Sequence, residues 1–141
     1  MKHSLRILAL LIAISMLIFS LAACRGSQND PWESASYTED TTLGEGTHTL
    51  TLTVTANDKS IVLTILTDAQ NVKDALLAHG LIDGEQQAIG YLMSTLNGMR
   101  ADYTLDNAYW LFCQNGEALP YGIDSAEITE DASYEFVYTP A

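Results

Sequence analysis

The side chains that could carry covalent chemistry in this sequence are few. The chain of 141 residues contains two cysteines, Cys24 and Cys113, and of its three histidines only His48 and His79 follow the first cysteine. No nucleophile elbow, zinc-type His/Cys spacing or glycine-rich phosphate loop occurs in the sequence. The sequence therefore predicts a protein that is not an enzyme. The residues around each cysteine indicate what chemistry its thiol could still undergo.

Cys24 stands directly after Leu21-Ala22-Ala23, at the end of an apolar run from Ile7 to Phe19 that follows a short basic segment. A basic start, an apolar stretch too short to span a bilayer and a small-residue end are typical of a signal peptide. The small residues before the cysteine resemble the bacterial lipobox, in which the thiol is acylated. We expect residues 1–23 to be a lipoprotein signal peptide and Cys24 to be the lipidated first residue of the mature chain. An uncleaved membrane anchor and an unmodified cysteine are the alternatives.

Lipid on Cys24 would leave Cys113 as the only thiol, so that no intramolecular disulfide could form in the mature chain. Cys113 follows the apolar pair Leu111 and Phe112, which favours a residue in a strand over a reactive nucleophile.

The chain is strongly acidic, with 18 Asp and Glu residues against 6 Lys and Arg and a formal net charge of −12. Phosphate binding requires a basic surface, so this composition excludes nucleic acid as a partner and disfavours charge-driven binding to anionic lipid. Residues 24–46 are rich in acidic and small polar residues and show no apolar period, which predicts a disordered acidic tether. Trp32 and Tyr37 within it are interpreted as scattered linker aromatics or as a short docking motif.

A folded domain is predicted for residues 47–141. Residues 48–56 alternate between apolar and mostly threonine side chains, a pattern typical of a half-buried strand, and residues 60–67 form a second apolar run. Asn57-Asp58 separates the two runs and predicts the turn of a hairpin.

The hydrophobic period changes to helical spacing from Val72 to His79, where Asn71 can cap the start of a helix and Gly80 can end it. A helix this short must pack on a sheet to be stable. Short strands follow at residues 91–96, 99–101, 109–113 and 134–138, with turns at Asn97-Gly98 and Asn115-Gly116. The order predicts a single α+β domain, with one short helix packed on a mixed sheet in a β-grasp-like arrangement.

Several short motifs occur in a fixed order from residue 48 to residue 139. They are Val72-x-Asp74-Ala75-Leu76, Gly80-Leu81-Ile82, Tyr91-x-x-Ser94-x-x-Asn97-Gly98, Ala101-Asp102-Tyr103, Tyr109-Trp110-x-Phe112, Asn115-Gly116-Glu117, Gly122-Ile123-Asp124 and Tyr134-x-Phe136-x-Tyr138. In order and spacing they resemble the transcobalamin-like C-terminal domain family, bacterial surface domains of which many are lipoproteins. In transcobalamin and intrinsic factor the related β-domain closes over one face of cobalamin. The resemblance therefore implies a cobalamin-like ligand.

The same resemblance implies that the ligand lies near residues 109–112 and the loop 119–122. Trp110 is either a stacking platform for a flat ligand or a core residue, whereas Tyr109 and Tyr121 are expected to be exposed. The predicted ligand-binding residues are Tyr109, Trp110, Phe112, Leu119 and Tyr121.

Acidic residues offer a weaker, alternative site. Asp102, Asp106 and Asn107, with Glu117 or Asp124, could supply oxygen ligands to calcium, although their spacing matches no EF-hand loop. The main prediction requires no metal.

Together these patterns predict a lipid-anchored protein on the extracytoplasmic side of a cell membrane, acting as a non-catalytic binding module for a small molecule such as a corrinoid. The alternatives are a surface adhesion or structural module that binds another surface protein, and a calcium-stabilised module.

Overall fold

The computed structural model describes residues 30–141. In this range a 3-10 helix, Pro31–Ser34, is followed by one α-helix, α1 (Val72–Ala78), and by strands in two sheets. The strands are β1 (Thr41–Gly44), β2 (His48–Ala56), β3 (Lys59–Thr67), β4 (Ile82–Gln87), β5 (Gly90–Leu96), β6 (Met99–Arg100), β7 (Ala108–Gln114), β8 (Glu117–Ala118) and β9 (Ser133–Pro140).

The larger sheet is built on the predicted hairpin of β2 and β3. Leu50, Leu52 and Val54 are fully buried, while the threonines between them are partly exposed, so the alternation in the sequence fixes which face packs inward. Asn57 takes a positive φ of 54° in the turn, a conformation that asparagine tolerates better than most residues.

This sheet is mixed, with strand order β1-β3-β2-β9-β7-β8. The C-terminal strand β9 inserts parallel to β2, with Leu52 opposite Tyr134 and Val54 opposite Phe136, and β7 then pairs antiparallel with β9. The aromatic side chains of β7 and β9 therefore extend the apolar face that the hairpin begins.

Helix α1 packs against the core through Val72, Ala75 and Leu76, all fully buried. The Asn71 carboxamide oxygen accepts the backbone N–H of Asp74 at 2.8 Å, as the capping prediction requires. The α+β class, with one short helix on a mixed sheet, is confirmed. In residues 30–141 no helix is long and apolar enough to cross a membrane.

A second, smaller sheet of order β4-β5-β6 was not predicted as a separate unit. Strand β4 carries one buried residue, Ile82, followed by a mainly polar, exposed run, so it shows no alternation that a sequence pattern could detect. A register shift between Asp83 and Gly84 breaks its pairing with β5.

The predicted disordered tether is wrong for residues 31–44, which form an ordered segment that we call the strap. The Trp32 side chain is buried, and its indole N–H donates to the Ala56 carbonyl oxygen at 2.9 Å. Strand β1 pairs parallel with β3, and Asp40 Oδ1 accepts the Val62 N–H at 2.8 Å. One buried tryptophan and a short strand offset the entropy that the polar composition suggested would dominate.

The strap also packs closely against the Asn97-Gly98 turn. Gly98 has a φ of 78°, and a Cβ built at this position would lie 2.3 Å from the Ser34 carbonyl oxygen, so only glycine fits. The folded domain consequently begins at about Pro31 and not at residue 47. The predicted signal peptide and the predicted lipidation of Cys24 fall outside the described residues.

Candidate functional site

The aromatic residues of β7 divide between the two faces of the large sheet. Trp110 and Phe112 point to the core side, where the Trp110 and Tyr138 rings meet edge to face with centroids 5.4 Å apart. Phe112 stacks on Phe136 at 4.6 Å and on Tyr134 at 6.0 Å. Phe112 thus acts as a core residue, and this ring ladder gives β7 a rigid position.

The other predicted ligand residues are more exposed than Trp110 and Phe112. Tyr109 and Tyr121 are exposed, as predicted, with 38% and 46% of their surface accessible. Leu119 is half-buried, and its N–H donates to the Phe112 carbonyl oxygen at 3.0 Å, which holds the loop 119–122 beside β7. Tyr109 alternates with Trp110 along the strand and so faces the opposite side of the sheet.

Trp110 lies in the core, which is one of the two roles left open by its sequence position. The residue is 8% exposed and belongs to the core cluster, yet its buried indole Nε1 has no hydrogen-bond acceptor among the described residues. Leaving such a donor unpaired is unfavourable, and most buried polar atoms in folded proteins have a partner. The indole N–H is therefore a donor that the described residues leave unpaired in a position closed to solvent.

A charged pair lies near the Tyr138 end of the ladder. The Arg100 guanidinium donates two hydrogen bonds of 2.8 Å to the Asp106 carboxylate, and this pairing lowers the pKa of Asp106 and raises that of Arg100. Burial, together with the Asp106 charge, raises the pKa of the Tyr138 phenol. Tyr138 therefore stays protonated at neutral pH and can donate its O–H.

The alternative metal set is not brought together. Asp106 is committed to Arg100, Asp102 Oδ1 accepts the N–H groups of Thr104 and Leu105, and Asp124 Oδ2 accepts the Tyr91 N–H at 3.2 Å. Within residues 30–141 no group of three or more His, Cys, Asp or Glu side chains is arranged to hold a metal ion.

Cys113 is buried in β7, as its apolar neighbours predicted. Burial raises the pKa of its thiol, and the charge of Glu135, opposite it on β9, raises it further. A thiol with a raised pKa is a poor nucleophile at neutral pH because little thiolate is present.

The electrostatics of the domain restrict what it can bind. Residues 30–141 contain 18 acidic side chains and three basic ones, Lys59, Lys73 and Arg100. The Lys59 Nζ lies 4.5 Å from the centre of the Trp32 ring. The Lys73 Nζ lies 3.9 Å from Asp74 Oδ1, and the Arg100 guanidinium is paired with the Asp106 carboxylate. With all three described cations engaged, this surface favours neutral or cationic ligands over anionic ones.

The structure exposes two large side chains to which the sequence analysis assigns no functional role. Tyr103 and Leu105, with 69% and 71% of their surface accessible, lie in the loop between β6 and β7. The signal available in the sequence was the presence of two large apolar side chains in a loop that otherwise looks polar.

No family model matches the chain, and no curated protein matches it significantly. Among solved structures it is similar to a protein from Ruminococcus gnavus ATCC 29149, described as a putative metal binding protein, with a TM-score of 0.62 and 23% identity over 67% of this chain and 99% of that one. Haptocorrin in complex with Cbi also matches, with a TM-score of 0.47 and 16% identity over 70% of this chain and 27% of haptocorrin. The first likeness shows a shared fold.

Proposed function

We propose that this chain is a lipoprotein, held on the extracytoplasmic side of a cell membrane by acylated Cys24, whose folded domain binds a small molecule without chemical conversion. The observation that carries the binding role is the buried Trp110 indole N–H, which has no acceptor among the described residues. A ligand that presents a carbonyl or hydroxyl oxygen would satisfy it.

The surroundings of Trp110 support a neutral or cationic ligand with a flat apolar part. Tyr138 meets the indole edge to face, and the described cations are already paired. Because Nε1 is closed to solvent, ligand binding requires a covering side chain to move, as in an induced fit. A corrinoid is the first class to test, since it combines a flat ring with amide carbonyls and is the ligand that the family resemblance implies.

Isothermal titration of the mature chain, carrying Cys24→Ser to keep it soluble, tests the binding role. We expect saturable heat with cobinamide or cyanocobalamin, and a loss of affinity of about tenfold in Trp110→Phe, which keeps a ring but removes the donor. Ile89→Ala is the matched control, because Ile89 is an exposed apolar residue on a different loop. Absence of heat at millimolar corrinoid, or equal affinity in Trp110→Phe, would contradict the proposed site.

The anchor is tested separately in cells. Intact mass measurement of the membrane-extracted protein should show acyl chains on a chain beginning at Cys24, and globomycin should block that processing. A Cys24→Ala protein that remains in the membrane fraction would argue against a lipid anchor.

A further inference from the structure

The loop between β6 and β7 presents two large apolar side chains to solvent. Tyr103 and Leu105 are 69% and 71% exposed, and Tyr109 follows them at the start of β7 with 38% of its surface accessible. Three large exposed side chains within seven residues of the chain are more than the isolated exposed apolar residues that any surface carries, and such segments often contact a partner.

Hydrogen bonds of its two aspartates fix the backbone of the loop that carries Tyr103 and Leu105. Asp102 Oδ1 accepts the N–H groups of Thr104 and Leu105 at 2.8 Å each, and the Asp106 N–H donates to the Asp102 carbonyl oxygen at 2.8 Å. The Asp106 carboxylate is held by Arg100. Both acids of the loop are thus engaged, Asp102 within the loop and Asp106 with Arg100 of β6. Tyr103 and Leu105 remain exposed to solvent.

This loop and the start of the strap lie at the same end of the large sheet. Trp32 binds the carbonyl of Ala56, the last residue of β2. Strand β9 runs parallel to β2 and ends at Pro140, which pairs with Ala108, the first residue of β7 after the loop. The chain therefore enters the domain from the end at which Tyr103 and Leu105 protrude.

We propose that this end of the domain rests on the bilayer surface, with Tyr103 and Leu105 inserted into the membrane interface. This inference rests on the proposed lipid anchor at Cys24. Six residues separate Cys24 from Pro31, so Pro31 lies within about 25 Å of the anchor even when that stretch is fully extended. Tethering at this distance raises the effective concentration of the loop at the membrane, so that weak insertion suffices.

The chemistry of the surface fits a zwitterionic interface. Tyrosine favours the headgroup region, where its ring is in an apolar layer and its hydroxyl is hydrated, and leucine adds apolar area below it. Two of the three basic residues of the described range, Lys59 and Arg100, lie at this end. Because the domain as a whole remains acidic, anionic lipid should weaken the contact.

Fluorescence quenching by lipid tests this contact independently of lipidation in cells. The mature chain, with Cys113→Ala to leave one thiol, is coupled through Cys24 to a maleimide lipid in phosphatidylcholine vesicles with brominated acyl chains. Tryptophan is introduced as Leu105→Trp or, as the control, as Ile89→Trp, because Ile89 is 96% exposed at the β4–β5 turn. The emission of the unsubstituted chain is subtracted.

We expect the added emission of Leu105→Trp to be quenched at least about twofold more than that of Ile89→Trp, and the difference to shrink when phosphatidylglycerol replaces half of the lipid. Equal quenching of the two variants would overturn the docking proposal, and so would stronger quenching on anionic vesicles or association of the chains through this loop. Failure of the anchor would appear instead as an unmodified Cys24 in the intact mass of the cellular protein.

Discussion

The side-chain amide of Asn97 brackets the backbone of Tyr37, accepting its N–H at 2.9 Å and donating to its carbonyl oxygen at 2.8 Å. Asn97 is fully buried, and its own carbonyl oxygen accepts the Ser36 N–H at 2.9 Å. A residue 60 positions away in the chain thus holds the strap in place of a partner strand. The turn between β5 and β6 is therefore a docking point for the N-terminal segment as well as a reversal of the chain.

Replacing Asn97 should show how much its two side-chain hydrogen bonds to Tyr37 contribute to the free energy of unfolding. Asn97→Ala leaves a partly buried backbone N–H and carbonyl of the strap without partners, and we expect it to lower the free energy of unfolding by about 2–4 kcal/mol. Asn115→Ala is the matched control, because Asn115 also has a positive φ before a glycine but is exposed. It should cost about 1 kcal/mol in urea denaturation. Equal losses of unfolding free energy in the two variants would mean that the hydrogen bonds from Asn97 to the strap contribute no stability of their own.

The strap should be part of the cooperative unit. Removing the buried Trp32 side chain in Trp32→Ala is expected to cost about 3–5 kcal/mol, while Lys59→Met, which removes only the cation over its ring, should cost about 1 kcal/mol or less. Differential scanning calorimetry of chains beginning at residue 30 and at residue 47 measures the same effect. If both chains melt at one temperature, the strap is not integral to the fold.

The Arg100–Asp106 pair should contribute stability that depends on pH. The pKa of Asp106 in the folded protein lies below its ordinary value of 3.8, so the pair stabilises the fold above that value and its contribution is lost as the pH falls through the folded pKa. The stability difference between the wild type and Asp106→Asn should be constant from pH 7 to about pH 5 and then shrink on acidification. Urea unfolding across this range measures it.

The control for this prediction is Arg100→Gln, which should reproduce the same profile, and the double variant should add little to either single change. A difference that grows as the pH falls would have the wrong sign for this pair.

The Cys113 thiol should react slowly with alkylating agents in the folded protein. Burial and the neighbouring Glu135 charge raise its pKa, so alkylation by iodoacetamide at pH 8 should be at least about tenfold slower in the folded Cys24→Ser chain than in urea. Glu135→Gln should accelerate the reaction modestly without unfolding the protein. A reaction equally fast in the native and unfolded chains would show that the thiol is accessible.

The parts of the fold that were predictable are those in which one periodic pattern decides the structure. Leu50, Leu52 and Val54 alternate with threonines, and Asn71 caps a helix whose buried residues recur at helical spacing, so local pattern and tertiary packing agree there. The strap could not be predicted in this way. Its order comes from the contacts of Trp32 and Tyr37 with distant residues and from the short strand β1, and these leave no period in the sequence.

The candidate site was predictable only in part for a similar reason. The alternation of β7 indicates that Tyr109 and Trp110 face opposite sides of the strand, but it does not indicate which side is covered. The isolation of the Trp110 indole N–H depends on every group around it and is visible only in three dimensions.

The indole N–H signals in a ¹H–¹⁵N spectrum test the proposed binding site most directly. The chain has two tryptophans, and Trp32, whose indole N–H is already bonded to Ala56, serves as an internal reference. On titration of the mature Cys24→Ser chain with cobinamide, the Trp110 signal should shift progressively and saturate while the Trp32 signal stays in place. An unchanged Trp110 signal at millimolar ligand, or equal shifts of both signals, would contradict the account.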